Sequence, residues 1–183
     1  MMNRLARLAG IAAIVGASMG GAFAQMAPFG NDEDVSYAAD LWAAMEAINL
    51  AGPDAIRSYP YEGVEPHGFV LETLYAKATL GGRTGDLVVK RNYGPAGVEI
   101  EAVQANAAQH LGAVTVMFKR EAGYDDENNN WFYAKYLPDG SLDKNPAGLQ
   151  LAGRVAKGMD QGCIACHSAA PGEDFIFTTD HIR

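Results

Sequence analysis

The sequence predicts an α+β fold, a predominantly antiparallel β-sheet with an N-terminal helix before it and a short C-terminal helix after it. Three observations carry this expectation. Apolar residues recur at helical spacing in an early stretch, at Val35, Ala38, Leu41, Met45 and Ile48. Several later runs are rich in β-branched and aromatic residues and are separated by Gly and Pro signals. The chain from Ala156 onward then returns to a short, turn-like composition around two cysteines.

The elements follow in order. Asn31 to Asp34 is a polar lead-in with capping residues, and Gly52-Pro53 is expected to end the helix. Gly68 to Ala76 alternates, with Phe69, Leu71, Thr73 and Tyr75 on one face and Val70, Glu72, Leu74 and Ala76 on the other. Gly81-Gly82 marks a turn, Asp86 to Tyr93 a second strand, and Gly94-Pro95 a break. Val98 to Leu111, rich in alanine and glutamine, reads as a short helix or a loop. Ala113 to Lys119 is a third strand, Tyr124 to Asn130 a loop, and Trp131 to Leu137 a fourth strand before the turn Pro138-Asp139-Gly140. Leu149 to Val155 adds a short fifth strand, and the cysteines fall on a short helical turn.

The first residues have the layout of a secretory signal. Arg4 and Arg7 precede an uncharged run from Leu8 to Met19, and Ala22-Phe23-Ala24 supplies small residues at a cleavage site. That run is short for a transmembrane span, which needs about 20 apolar residues. Residues 1–24 are therefore expected to be removed, leaving residues 25–183 as one domain in the periplasm, with no membrane contact after cleavage. Loss of the two arginines takes the formal charge from −8 to −10. So acidic a chain repels nucleic acid and anionic lipid. The charge orients a basic redox partner or simply keeps the protein soluble.

The two cysteines, Cys163 and Cys166, stand in the run Cys163-Ile164-Ala165-Cys166-His167. Cys-x-x-Cys-His is the attachment motif of c-type haem. Thiols at this spacing reach the two vinyl groups on one porphyrin edge, and the adjoining histidine supplies an imidazole nitrogen to iron. The short C-terminal helix is thus expected to be haem-binding, with Cys163 and Cys166 forming thioethers to one covalent haem c and His167 as proximal iron ligand. A thioredoxin-like dithiol would sit early in a βαβ unit. Zinc would need further ligands, and His67, His110 and His181 are scattered. A disulfide closing so short a loop gives little constraint.

Electron carriers close the sixth iron position with Met or His, whereas ligand-binding and catalytic haems leave it open. No Met lies among the 16 residues after His167. Upstream, Met45 and Met117 suit core positions and Met159 is too near Cys163 to cross the ring, so the sixth position is expected to be open. His67, between Pro66 and Gly68, either lines a pocket or bonds a turn backbone, and His110 has the same two readings.

The chain resembles the cytochrome P-460 family. The resemblance rests on Pro66-His67-Gly68, Asp86 to Lys90 with Asn92-Tyr93, Val114 to Lys119, Gly123-Tyr124, Trp131 to Tyr136, Pro138-Asp139-Gly140, Gly162 to His167, and Asp174 to Thr178. It implies a mostly antiparallel fold, often dimeric, with a five-coordinate c-type haem, and oxidation of hydroxylamine or binding of nitric oxide. It also implies a lysine bonded to a haem meso carbon, a part that falls on Lys90. Composition alone leaves Lys90 as a sheet lysine facing solvent. Two departures stand out. The distal acid of the hydroxylamine-oxidising members falls on Thr115, and an arginine of the first strand is replaced by Glu72. Glu72 is a pocket carboxylate or a surface charge. The related cytochromes c′-beta lack the crosslink and carry an apolar aromatic cap, a part open to Phe69, Phe118 or Phe132.

Three functions follow: a hydroxylamine-oxidising haem oxidoreductase, a non-catalytic binder of nitric oxide or carbon monoxide, or a simple electron-transfer cytochrome c. The expected partners are a small gaseous or nitrogenous ligand, a soluble redox protein and a second copy of the chain.

Overall fold

A computed structural model describes residues 28–177. The expected leader, residues 1–24, and His181 lie outside the described residues. Helix α1 (Asp32–Ala47) opens at Asn31, whose side-chain oxygen accepts the Asp34 N–H at 3.0 Å. Asp32, Glu33 and Asp34 place negative charge in its first turn, where the helix dipole favours it. The helix ends earlier than Gly52-Pro53. Asn49 turns left-handed (φ 57°), its N–H reaches Glu46 O at 3.0 Å, and the Leu50 N–H reaches Met45 O at 2.8 Å. These two bonds make a Schellman close, and they draw Leu50 into the core.

Six strands form one antiparallel sheet in sequential order: β1 (Tyr61–Glu62), β2 (Val70–Leu80), β3 (Arg83–Tyr93), β4 (Leu111–Lys119), β5 (Trp131–Tyr136) and β6 (Ala152–Gly153). The α+β expectation holds. The β2–β3 hairpin is longer than the apolar alternation predicts. Gly81 and Gly82 both take positive φ (59° and 78°), the requirement of a tight two-residue turn. Polar pairs then carry the ladder to it. Lys77 bonds Asp86, and the Thr79 and Thr84 hydroxyls lie 2.8 Å apart. The ambiguous stretch before β4 holds two short helices, α2 (Ile100–Ala105) and α3 (Ala107–His110). Of the expected fifth strand only Ala152 and Gly153 pair with β5, and Gly153 (φ 97°) turns the chain away. The edge pair β1 was not expected. The last helix, α4 (Cys163–His167), coincides with the cysteine–histidine motif.

Strand alternation gives the sheet two covered faces. One packs on α1, where Ala38, Leu41 and Met45 meet Leu87, Val116 and Phe132. The other carries Val88, Met117 and Tyr133 beneath Val155, Ala156 and Ile164 of the C-terminal segment. The motif helix is therefore held against the sheet face opposite α1. No described helix is long and apolar enough to cross a membrane.

Candidate haem site

Cross-strand register sorts the expected site residues by face. Thr73, Lys90, Thr115 and Lys135 form one row across β2 to β5, and Glu72, Arg91, Val114 and Tyr136 form the next. Adjacent rows project to opposite faces. Lys90 and Thr115 therefore lie on the face that α4 covers. Two adjoining cavities open there. The larger has a volume of about 280 Å³ and reaches Lys90, Thr73 and Cys166. The smaller, about 40 Å³, lies among Lys90, Thr115, Met117, Tyr133, Cys163 and His167. His67, Tyr75, Lys90 and Phe177 line both.

Glu72 is on the other face, a correction to its reading as a pocket or surface carboxylate. Its side chain is fully buried, accepts Arg57 Nε–H at 2.6 Å, and faces Arg91 Nη1 at 3.4 Å. Arg91 also donates to Ile56 O at 2.6 Å and to Leu50 O at 3.1 Å. This network ties the chain after α1 to the sheet. Two of the aromatic-cap readings fail for the same reason of face, and Phe69, which shares the parity of Thr73, lines neither cavity. Phe118 and Phe132 are buried in the α1-side core, and Phe69 is 43 % exposed. Met45 is core under α1, Met159 is exposed, and Met117 belongs to the core of the haem-side face while lining the small cavity.

The motif itself is held by sequence-local devices. Gly162 enters α4 at φ 127°, and a Cβ there would stand 2.3 Å from the Ala156 Cβ, so no other residue fits. His167 is buried, with Nδ1 2.9 Å from Phe175 O. A carbonyl only accepts, so Nδ1 carries the proton and Nε2 keeps its lone pair. Asp174 and Phe175 both take left-handed backbone (φ 58° and 63°), which aims their carbonyls. Trp131 Nε1 donates to Asp174 O at 2.9 Å, and Lys119 pairs with the Asp174 carboxylate. This strap is a second-sphere support that fixes a ligating histidine's tautomer and orientation. Burial pushes the His167 pKa down, partly offset by the Phe175 bond.

Lys90 is largely buried, and among the described residues no carboxylate pairs with it. Burial lowers its pKa, with Cys166 opposing the shift. His67 is held neutral, its pKa lowered to about 3 by burial and then by Lys90, His167 and Lys135. Its Nδ1 lies 3.3 Å from Thr115 Oγ1, and its ring centre lies 6.1 Å from that of His167. Of the two readings of His67, lining a pocket is the one the ring meets; only its main-chain N–H closes the turn, onto Val64 O at 3.1 Å. His110 ends α3 away from the cavities. Sequence reasoning passed over Tyr133, whose ring lies 5.7 Å from His167 and whose buried hydroxyl has no partner. Its alternation with Trp131 on β5 was the available signal.

A porphyrin suits these residues. The walls are mainly apolar, one buried hydroxyl is left without a partner, and an imidazole is fixed with a free nitrogen beside two thiols. The competing readings of the cysteines lose ground. Burial pushes the Cys163 thiol up to about 11, the reverse of a reactive dithiol. No group of three or more His, Cys, Asp or Glu among the described residues could hold a metal alone.

A sheet face roofed by a Cys-x-x-Cys-His helix, with an apolar cavity between, defines a haem-binding cytochrome. The family model for Cytochrome P460 matches residues 67–178, and the chain belongs to that family. Neither the curated proteins nor the solved structures give a match.

Proposed function

We propose that this is an exported, periplasmic c-type haem protein that acts on small nitrogen compounds, by hydroxylamine oxidation or nitric oxide chemistry. Cys163 and Cys166 would hold the porphyrin as thioethers and His167 Nε2 would hold the iron. The observation that carries this reading is the His167–Phe175 bond, which leaves a buried imidazole nitrogen free beside both thiols. Bound there, the haem would supply an iron centre that exchanges electrons with a small ligand and a soluble acceptor. The chain's own residues would shape the ligand side. Lys90 presents an amine whose buried charge is disfavoured, fit to bond a porphyrin carbon as the family resemblance implies. Thr115 fixes His67, and the apolar strand residues exclude water.

A second reading, a non-catalytic binder of nitric oxide or carbon monoxide, is favoured by one observation. No carboxylate lines the smaller cavity, where Thr115 stands. Single-turnover mixing of the purified ferric protein with hydroxylamine separates the two. Reduction of the haem with consumption of hydroxylamine supports the enzyme. A spectrum that responds to nitric oxide but is inert to hydroxylamine supports the binder, and one indifferent to both would sink the proposal.

A further inference from the structure

The mouth of the larger cavity joins two features that the proposed function leaves unused. The first is an apolar surface. Val64 on the β1–β2 connection, Tyr75 on β2 and Phe177 just beyond the strap all line that cavity, and they are 73 %, 49 % and 38 % exposed. One opening brings them together, and Tyr75 Oη–H donates to Phe177 O at 3.2 Å. Pro66 adds a further exposed apolar ring at the same opening. A contiguous exposed patch that contains aromatic rings marks an interaction surface, whereas apolar side chains exposed singly do not.

The second feature is charge. Glu62 and Glu65 line the same opening, both are exposed, and neither has an ion-pair partner among the described residues. Among the described residues lining this cavity, Lys90 is the single lysine or arginine, and it is largely buried. The rim therefore presents negative charge around an apolar centre. The chain as a whole carries a formal charge of −8. Both attract a cationic partner.

Charge also chooses between a second copy of the chain and a different protein. A two-fold dimer through this opening would set the patch against itself. Glu62 and Glu65 would then face the same carboxylates of the other copy, and like charges across an interface are disfavoured. A patch of a few side chains suits the transient contacts of electron-transfer proteins, which bury less than about 1,200 Å². Cys166 indicates what such a partner would do there. It is exposed and lines this same cavity, so a porphyrin bonded to it is approached from this side. Electron exchange requires the two redox centres to come close together.

We propose that this opening is the docking surface for a small basic redox protein, with Val64, Tyr75 and Phe177 at the centre of the contact and Glu62 and Glu65 steering from the rim. The inference rests on the proposed haem site and names the surface and the charge of the electron acceptor. One electron crosses per encounter. The haem protein is oxidised by one electron, the partner's oxidised centre is reduced by one, and no proton or group passes between them.

The test uses the purified full-length holoprotein, with mitochondrial cytochrome c, a basic protein, as the probe. Haem content is measured first by denaturing-gel stain, and a chain without haem overturns the haem site itself before any rate is read. Stopped-flow mixing of the reduced protein with ferric cytochrome c follows reduction of the probe. At about 0.01 M salt, where charges act over about 30 Å, Glu62→Lys with Glu65→Lys should slow that reduction by about tenfold or more. Asp40→Lys with Glu46→Lys makes the same change of charge at exposed positions of α1, across the sheet, and should slow it far less. At about 1 M salt, where the screening length is about 3 Å, the two double variants should react alike. Val64→Ser should weaken binding several-fold at either salt, read by calorimetry with both proteins ferric, a pair that exchanges no electron. A wild-type rate in Glu62→Lys with Glu65→Lys overturns the proposal, as does equal slowing by the two double variants at low salt. A wild-type dimer that sedimentation shows to be lost in Val64→Ser assigns the patch to a second copy and also overturns it.

Discussion

Substituting Glu72 by glutamine separates a structural carboxylate from a catalytic one. The Glu72 side chain is fully buried, as is nearly all of Arg91, while Arg57 is 39 % exposed. Removing one member of a buried ion pair typically costs about 3–5 kcal/mol, because the partner is left uncompensated. The substituted glutamine keeps the volume, so no cavity term is added. Arg91 retains the Ile56 and Leu50 carbonyls, and Arg57 can turn to water. Both considerations place the loss at the low end, about 3 kcal/mol. For a chain of this size that is a fall in Tm of roughly 6–12 °C. Chemical denaturation of Glu72→Gln with unchanged slope reads the loss directly. The haem spectrum and ligand affinity of the folded fraction should match wild type, because Glu72 faces α1. Unchanged stability with an altered haem spectrum would refute the assignment of Glu72 to that face.

Further outcomes are expected. Asn31→Ala removes the α1 cap and should lower stability by about 1 kcal/mol, read by denaturant midpoint. Gly162→Ala should express normally yet yield mostly haem-free chain by gel stain, since its Cβ collides with Ala156. Lys90 has a lowered folded pKa, so the unfolded chain binds more protons between that value and the ordinary lysine value of about 10.4. Stability of haem-free wild type should therefore rise with pH across that window relative to Lys90→Met, as paired denaturation curves would show. Trp131→Phe removes the donor to Asp174 O and loosens the strap behind His167, costing about 1 kcal/mol and shifting the haem reduction potential measurable by voltammetry.

Much of the fold was legible because its signals are local. The 3.6-residue spacing of Ala38, Leu41 and Met45, the alternation of β2 to β5 and the Gly81-Gly82 turn each act within a few residues. Polar extensions were not legible, since Thr79–Thr84 and Lys77–Asp86 become a ladder only once paired. The Asn49 close of α1 hid behind the stronger Gly52-Pro53 signal. In the site, the motif was legible outright. The side of the sheet on which a residue falls was legible only by parity. Glu72 had already been separated by alternation from Thr73, yet its partners Arg57 and Arg91 are 15 and 19 residues away, and only the folded chain brings them together. His67 and Thr115 are 48 residues apart, so their contact carries no local signature.

The central claim is that the cavity between α4 and the sheet holds one haem bonded to Cys163 and Cys166. Intact and peptide mass spectrometry of the protein expressed in a host that matures c-type cytochromes tests it most directly. The expected result is a mature chain beginning near Gln25 that carries one haem on the peptide containing both cysteines, with no free thiol. A chain with two titratable thiols or a Cys163–Cys166 disulfide, and no haem on that peptide, would contradict it.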